Sequence, residues 1–164
     1  MKPIKATLLY LLRDGEILLV YKKRGHGEGK WNGIGGKLDN ESVEECVKRE
    51  VKEETGLEVL NFELCGIIYF YNVYGRDWDV FVFRGREFIG EPKETEEVIP
   101  KWFKVTEIPY EAMWEDDREW LPKLIEGKHF IGIYHFDGDK LVKSNLRIVS
   151  KVELQEEYQR NLKN

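Results

Sequence analysis

The chain has 164 residues, the length of one domain, and can bury a core without metal or disulfide staples. Apolar residues make up 41% and charged residues 35%, the proportions of a soluble globular protein with a highly charged surface. The net charge of −5 argues against general nucleic-acid binding, which needs a basic face, but not against a small polyphosphate held by local cations and a metal.

Residues 5–12 read as a strand, Asp14-Gly15 as a hairpin turn and residues 17–21 as the returning strand. The first apolar run is short and ends at Arg13-Asp14. No export signal or membrane span is therefore expected, and residence in the cytoplasm is. Residues 22–37 are rich in Gly and Lys without apolar periodicity, which predicts a long functional loop. Residues 42–55 predict a helix, with Val43, Val47 and Val51 at four-residue steps and Gly56 as its stop. Strands follow over 63–74 and 77–84 around Gly75, and over 101–105. Residues 121–126 read as helix, 130–136 and 141–148 as a hairpin about Asp137-Gly138, and 152–162 as a polar helical tail. The domain is expected to span 1–150, with 151–164 as the tail. Many strands and few helices give an α+β class, a mixed sheet with helices packed on it. Cys46 and Cys65 show no metal-ligand spacing and read as buried thiols in a reducing compartment.

The helix over 42–55 carries the chemistry. At about 100° per residue, Val43, Cys46, Val47 and Val51 share one apolar arc. Glu50 and Glu54 fall inside that arc and Glu53 at its edge. Carboxylates in an apolar stripe are costly unless compensated, and Glu50 and Glu54 repel each other at i, i+4. Arg49 or a lysine would compensate them; so would a hard divalent cation with oxygen ligands. A solvated acidic helix with misplaced valines is the plain alternative.

The spacing Gly35-x5-Glu41-x7-Arg49-Glu50-Val51-x-Glu53-Glu54-x-Gly56-Leu57 matches the Nudix box residue by residue. The chain therefore resembles the Nudix hydrolases. The resemblance implies a Nudix fold, a curled mixed sheet packed between helices as an α/β/α sandwich. It also implies cleavage of a phosphoric anhydride in a nucleotide, with Mg2+ or Mn2+ as cofactor. The box departs from many relatives in a loop one residue shorter before Glu41. Lys22-Lys23-Arg24-Gly25, Trp31 to Lys37, Trp102-Phe103, Met113 to Asp117 and Lys128-His129-Phe130 resemble the oxidised-purine nucleoside triphosphatases within that family.

That resemblance implies substrate-binding positions at Thr7, Lys22, Asn32, Lys37, Phe70, Trp78, Trp114, Asp116 and Asp117. Trp114 would stack on the purine, Asn32 and the two aspartates would bond its edge, and Lys22 and Lys37 would screen phosphates. Asn72 stands where relatives have a second pocket Phe, and Trp78 where they have a Met. On the residues alone, Asp116 and Asp117 also read as capping acids, although Pro122, best suited to a first turn, moves the cap toward Arg118 or Glu119. Trp78 and Trp114 also read as core aromatics.

The metal set implied is Glu50, Glu53, Glu54 and Glu97, with Glu53, Glu50, Arg49 and Glu97 as the catalytic group. Glu97 reads equally as part of a solvated acidic loop. Gly25–Gly36 fails the GxxxxGK[ST] pattern, so a Walker-type loop is rejected. His26, His129 and His135 read as surface or packing residues. The implied partner is a nucleoside triphosphate substrate, with the chain a monomer and a dimer as the alternative. The rival readings are a Nudix enzyme for ADP-ribose, a dinucleotide or an RNA 5′ end, and a silent nucleotide-binding domain. An isoprenoid diphosphate isomerase would need a Cys–Glu pair in an apolar pocket, and Cys46 on the box helix is in the wrong setting.

Overall fold

The computed structural model describes residues 1–164. A nine-stranded mixed sheet is built on β1 (Ile4–Arg13), whose side chains alternate between two cores. Leu9 and Leu11 enter one core, Tyr10 and Leu12 the other. One edge of β1 pairs in parallel with β6 (Arg76–Ile89). Its other edge is shared. Residues Ala6 to Leu9 pair with β4 (Ile34–Lys37), and Leu11 to Arg13 with β2 (Glu16–Lys22). The sheet thus splits and curls at this strand. Beyond β2 lie β3 (Trp31–Asn32) and β7 (Val98–Lys104); beyond β6 come β5 (Glu58–Val73), β8 (His129–Asp137) and β9 (Lys140–Val149).

Helix α1 (Val43–Thr55) and helix α3 (Lys151–Leu162) cover one face. Val43, Val47 and Val51 of α1 and Leu154 and Tyr158 of α3 meet Leu9, Leu11, Leu18 and Phe81 there. Helix α2 (Asp117–Ile125) covers the other face with Trp120, Leu121 and Leu124. Three helices on two faces make the expected sandwich. The ends of α1 follow from local chemistry. Ser42 and Glu45 form a reciprocal capping box, and Gly56 closes the helix in a left-handed conformation.

Several boundaries differ from the sequence reading. The expected loop over 22–37 contains β3 and β4, too short and too glycine-rich to show periodicity, formed by pairing with β2 and β1. Strand β5 begins at Glu58 rather than 63, and bulges along it break the alternation that marks a strand. Strand β6 runs from Arg76 to Ile89, beyond the expected 77–84, and β7 covers Val98–Lys104 rather than 101–105. Helix α2 begins at Asp117, not 121, so Pro122 sits in its second turn. Residues 151–162 form α3, whose Tyr158 hydroxyl donates to Glu44 of α1 at 3.0 Å and so ties the tail to the box helix.

Candidate active site

The last two turns of α1 place their glutamates in different surroundings. Glu54 is 1% exposed. It accepts from Lys22 Nζ and from the Gly35 backbone N–H, both at 3.2 Å. Burial nevertheless pushes its carboxyl up to about 7 against the pull of Lys22. Glu50 is partly buried, which also raises it, and accepts from Arg49 Nη1 at 2.8 Å. Glu53 is exposed and reaches the same guanidinium at 3.1 Å.

Arg49 is the hub. It clamps Glu41 in a bidentate bond, Nε to Oε1 at 2.9 Å and Nη2 to Oε2 at 2.6 Å, and donates to the Lys37 carbonyl at 3.2 Å. The bond to Arg49 holds Glu41 down to about 2. The shortened loop before Glu41 therefore still delivers this residue to the clamp. Glu97 arrives from a separate loop. Thr95 Oγ1 donates to the Glu54 carbonyl at 3.2 Å and accepts from the Glu97 N–H at 3.3 Å, pinning that loop to the end of α1. The Glu97 carboxylate lies 3.6 Å from Arg24.

At the other end, Asp116 occupies the N-cap position of α2 but does not cap it. Its Oδ2 accepts from Trp120 Nε1 at 2.7 Å, while Oδ1 is buried without a partner. Asp117 is the first helical residue and is 5% exposed. Both acids are pushed up, Asp116 to about 7 and Asp117 well above the carboxylate range, by burial first; Asp117 is raised next by its neighbour Asp116. One acid of the pair therefore keeps a proton near neutral pH. Trp114, three residues before Asp117, donates to Asn32 Oδ1 at 3.1 Å, and Asn32 Nδ2 donates to the Lys30 carbonyl at 2.8 Å.

One cleft of about 310 Å³ joins the two ends. Glu50, Glu54, Glu97, Lys22 and Lys37 line one part. Thr7, Asn32, Phe70, Trp78, Trp114 and the two aspartates line the rest. Thr7 meets Cys46 Sγ at 3.4 Å; burial pushes that thiol up to about 11, so it is no nucleophile. Glu53, Glu41 and Arg49 do not line the cleft. Asn72 does not reach it either: its amide donates to the Phe136 carbonyl at 3.1 Å, and Phe136 itself lines the wall. Among the cleft residues that escaped the sequence reading are Trp120, Tyr10 and His26. Trp120 stands four residues after Asp116 on the same helix face, a spacing that would have suggested the bond. Tyr10 lies on the inward face of β1. His26, expected at the surface or in packing, stacks 5.1 Å from Trp114 and 4.7 Å from Trp78.

The glutamates do not converge on one point, and no three His, Cys, Asp or Glu side chains stand together as a ready chelate. Arg49 and Lys22 hold them instead, the first of the two compensations that the sequence allowed. The donors nonetheless suit a hard cation. Glu50, Glu54 and Glu97 bring only carboxylate oxygens to this part of the cleft. A Cβ on Gly36 would lie 2.6 Å from the Glu50 carboxyl carbon, so glycine alone leaves that carboxylate its seat. A Cβ on Gly35 would lie 1.8 Å from the Thr7 carbonyl oxygen, which explains the box glycine.

Comparisons with known proteins bear on the family and the fold. The model of the NUDIX domain matches residues 1–124. The oxidized purine nucleoside triphosphate hydrolase of Danio rerio is 40% identical over 138 residues, 83% of this chain and 88% of that protein. The protein of the same name in Mus musculus is 40% identical over 146 residues, 87% of this chain and 94% of its own length. Among solved structures, the MutT protein from Bacillus halodurans superimposes with a TM-score of 0.75 at 31% identity, over 87% of this chain and 97% of that one. No helix here is long and apolar enough to cross a membrane. Nudix hydrolases use divalent metal ions, and with the box, the fold and these relatives in agreement, the chain belongs to the Nudix hydrolase family.

Proposed function

We propose that the chain hydrolyses oxidised purine nucleoside triphosphates, 8-oxo-dGTP among them, to the monophosphate and pyrophosphate. The observation that carries this reading is the single cleft that joins a buried acid pair to a row of glutamates. Oxidation of guanine at C8 adds a donor at N7 and an acceptor at C8. An ionised acid of the pair accepts from N7–H, and its protonated neighbour donates to a base acceptor. Ordinary guanine offers no donor at N7 and leaves a buried acceptor unpaired. Asn32 is held by Trp114 and Lys30 at the same wall, where its amide is oriented before any base arrives.

At the other end, Glu50, Glu53, Glu54 and Glu97 would hold a divalent cation, magnesium or manganese. Bound there, it would lower the pKa of an attacking water and take up charge on phosphate oxygens. Arg49 fixes Glu41, Glu50 and Glu53 relative to one another, and Lys22 and Lys37 supply positive charge to the phosphates. The relatives' names support the substrate class. The role we infer is cleansing of the nucleotide pool, with the cytoplasm as its site.

The test is a substrate panel with magnesium. The kcat/KM for 8-oxo-dGTP should exceed those for dGTP and ADP-ribose by about a hundredfold or more. Equal or better turnover of ADP-ribose would overturn the reading.

A further inference from the structure

His26 sits on a strap of alternating glycines, Gly25-His26-Gly27-Glu28-Gly29, that crosses the base end of the cleft. Its imidazole lies 4.7 Å from Trp78 and 5.1 Å from Trp114, at interplanar angles of 31° and 20°. Both indoles pack against this one ring, which bridges them at the base end of the cleft.

We propose that His26 is a displaceable plate: its ring occupies the slot between Trp78 and Trp114 and leaves it to an incoming purine, so that base affinity is set against the stack that His26 gives up. The inference rests on the reading of that slot as the base site. It makes His26 a specificity-determining residue, because a ring that stacks weakly or bonds poorly cannot displace it.

Three observations support exchange over a fixed wall. The imidazole makes no side-chain hydrogen bond, so stacking alone holds it. The strap's backbone bonds run between Lys22 and Lys30, between Lys22 and Gly29, from Glu28 to Gly25 and from Lys30 to Gly27. None involves His26, and moving it breaks none. Polar groups also stand ready for a better partner: Trp78 Nε1 and Asp116 Oδ1 are buried and unpaired. Gly27 adopts φ +82°, and a Cβ there would lie 3.1 to 3.3 Å from Asn32 and Trp114, which keeps the strap against the slot. Desolvation against the neighbouring side chains, with Lys22 and Lys37 nearby, lowers the His26 pKa, so the ring stacks as a neutral aromatic at pH 7.

The experiment is proton NMR of the histidine rings in the full chain, with His26 assigned by the loss of its signals in His26→Ala. Two flanking indoles shield the His26 ring protons and move them upfield. Saturation with a purine nucleoside monophosphate, dGMP or its 8-oxo form, should abolish that shielding; inorganic pyrophosphate should not. In parallel, His26→Ala should bind the same monophosphate about three- to tenfold more tightly, by the loss of one or two competing aromatic contacts. Shielding that persists at saturation, or weaker binding by the variant, would show a fixed wall and overturn the proposal. A poor preference for oxidised bases would sink the assigned substrate alone, because any purine that binds must still expel the ring. Failure to bind any purine would overturn both.

Discussion

The two ends of the cleft bury acids under opposite electrostatic conditions. At the α1 end each carboxylate touches a cation: Glu41, Glu50 and Glu53 on Arg49, Glu54 on Lys22 and Glu97 on Arg24. At the α2 end Asp116 has the Trp120 N–H as its partner and Asp117 has no cation at all. Arg49 holds Glu41 charged, and Arg49 and Lys22 oppose the burial that raises Glu50 and Glu54. The absence of cations keeps a proton on the second group. The same carboxyl group thus serves as ligand or as hydrogen-bond donor according to what is packed beside it.

The comparison breaks most severely if the charged end is neutralised. Glu50→Gln and Glu53→Gln should each lower kcat/KM by about 10²–10⁴-fold, the range for a group acting directly at the reacting centre. Steady-state kinetics with magnesium measures this, with circular dichroism to show an intact fold. Wild-type turnover in either variant would remove that residue from the metal set. Lys22→Met tests the pairing itself. It leaves Glu54 buried beside Glu50 with no cation and should cost about 3 kcal/mol of stability, read from denaturant unfolding at pH 8. At pH 5, where Glu54 carries a proton, the loss should shrink. Arg49→Lys keeps the charge but loses the fork that clamps Glu41, and should lower metal affinity or activity about 10- to 100-fold.

The same contrast explains what the sequence revealed. The α1 end is local. Apart from Glu97, its glutamates, Arg49, the capping box and Gly56 lie within 16 residues, so helical spacing alone showed charged groups inside an apolar arc. Spacing did not show that Glu53 would point outward to Arg49, because it lies at the edge of that arc. The α2 end is assembled from β1, β5, β6, the strap and the turn at Trp114, and no periodicity links them. Resemblance brought most of those residues to notice. It did not bring His26, a lone histidine among glycines, nor the true start of α2, since Pro122 is tolerated a turn deeper than its preference suggests. The strands within 22–37 depend on partners elsewhere in the sheet, which a local reading cannot supply.

The gentlest way to sharpen the comparison is Trp120→Phe, which keeps an aromatic ring against Tyr10 and removes the one N–H that Asp116 accepts. That bond favours the ionised acid, opposing the burial that raises it. In the wild type the folded chain holds its proton up to about pH 7, whereas the unfolded chain releases it near pH 4. Between those values the native state binds more protons, so this group's contribution to stability falls as pH rises through the window. Without the Trp120 bond the upper limit moves higher. The variant should lose about 1 kcal/mol at neutral pH, from the unpaired Asp116 oxygen. Its kcat/KM for 8-oxo-dGTP should reach its plateau at a higher pH than in the wild type, because Asp116 must lose its proton to accept from N7–H while Asp117, raised further, keeps its own. A pH–rate profile unchanged by Trp120→Phe would mean that the Asp116 proton takes no part in holding the base, and the contrast between the two ends would then be one of packing alone.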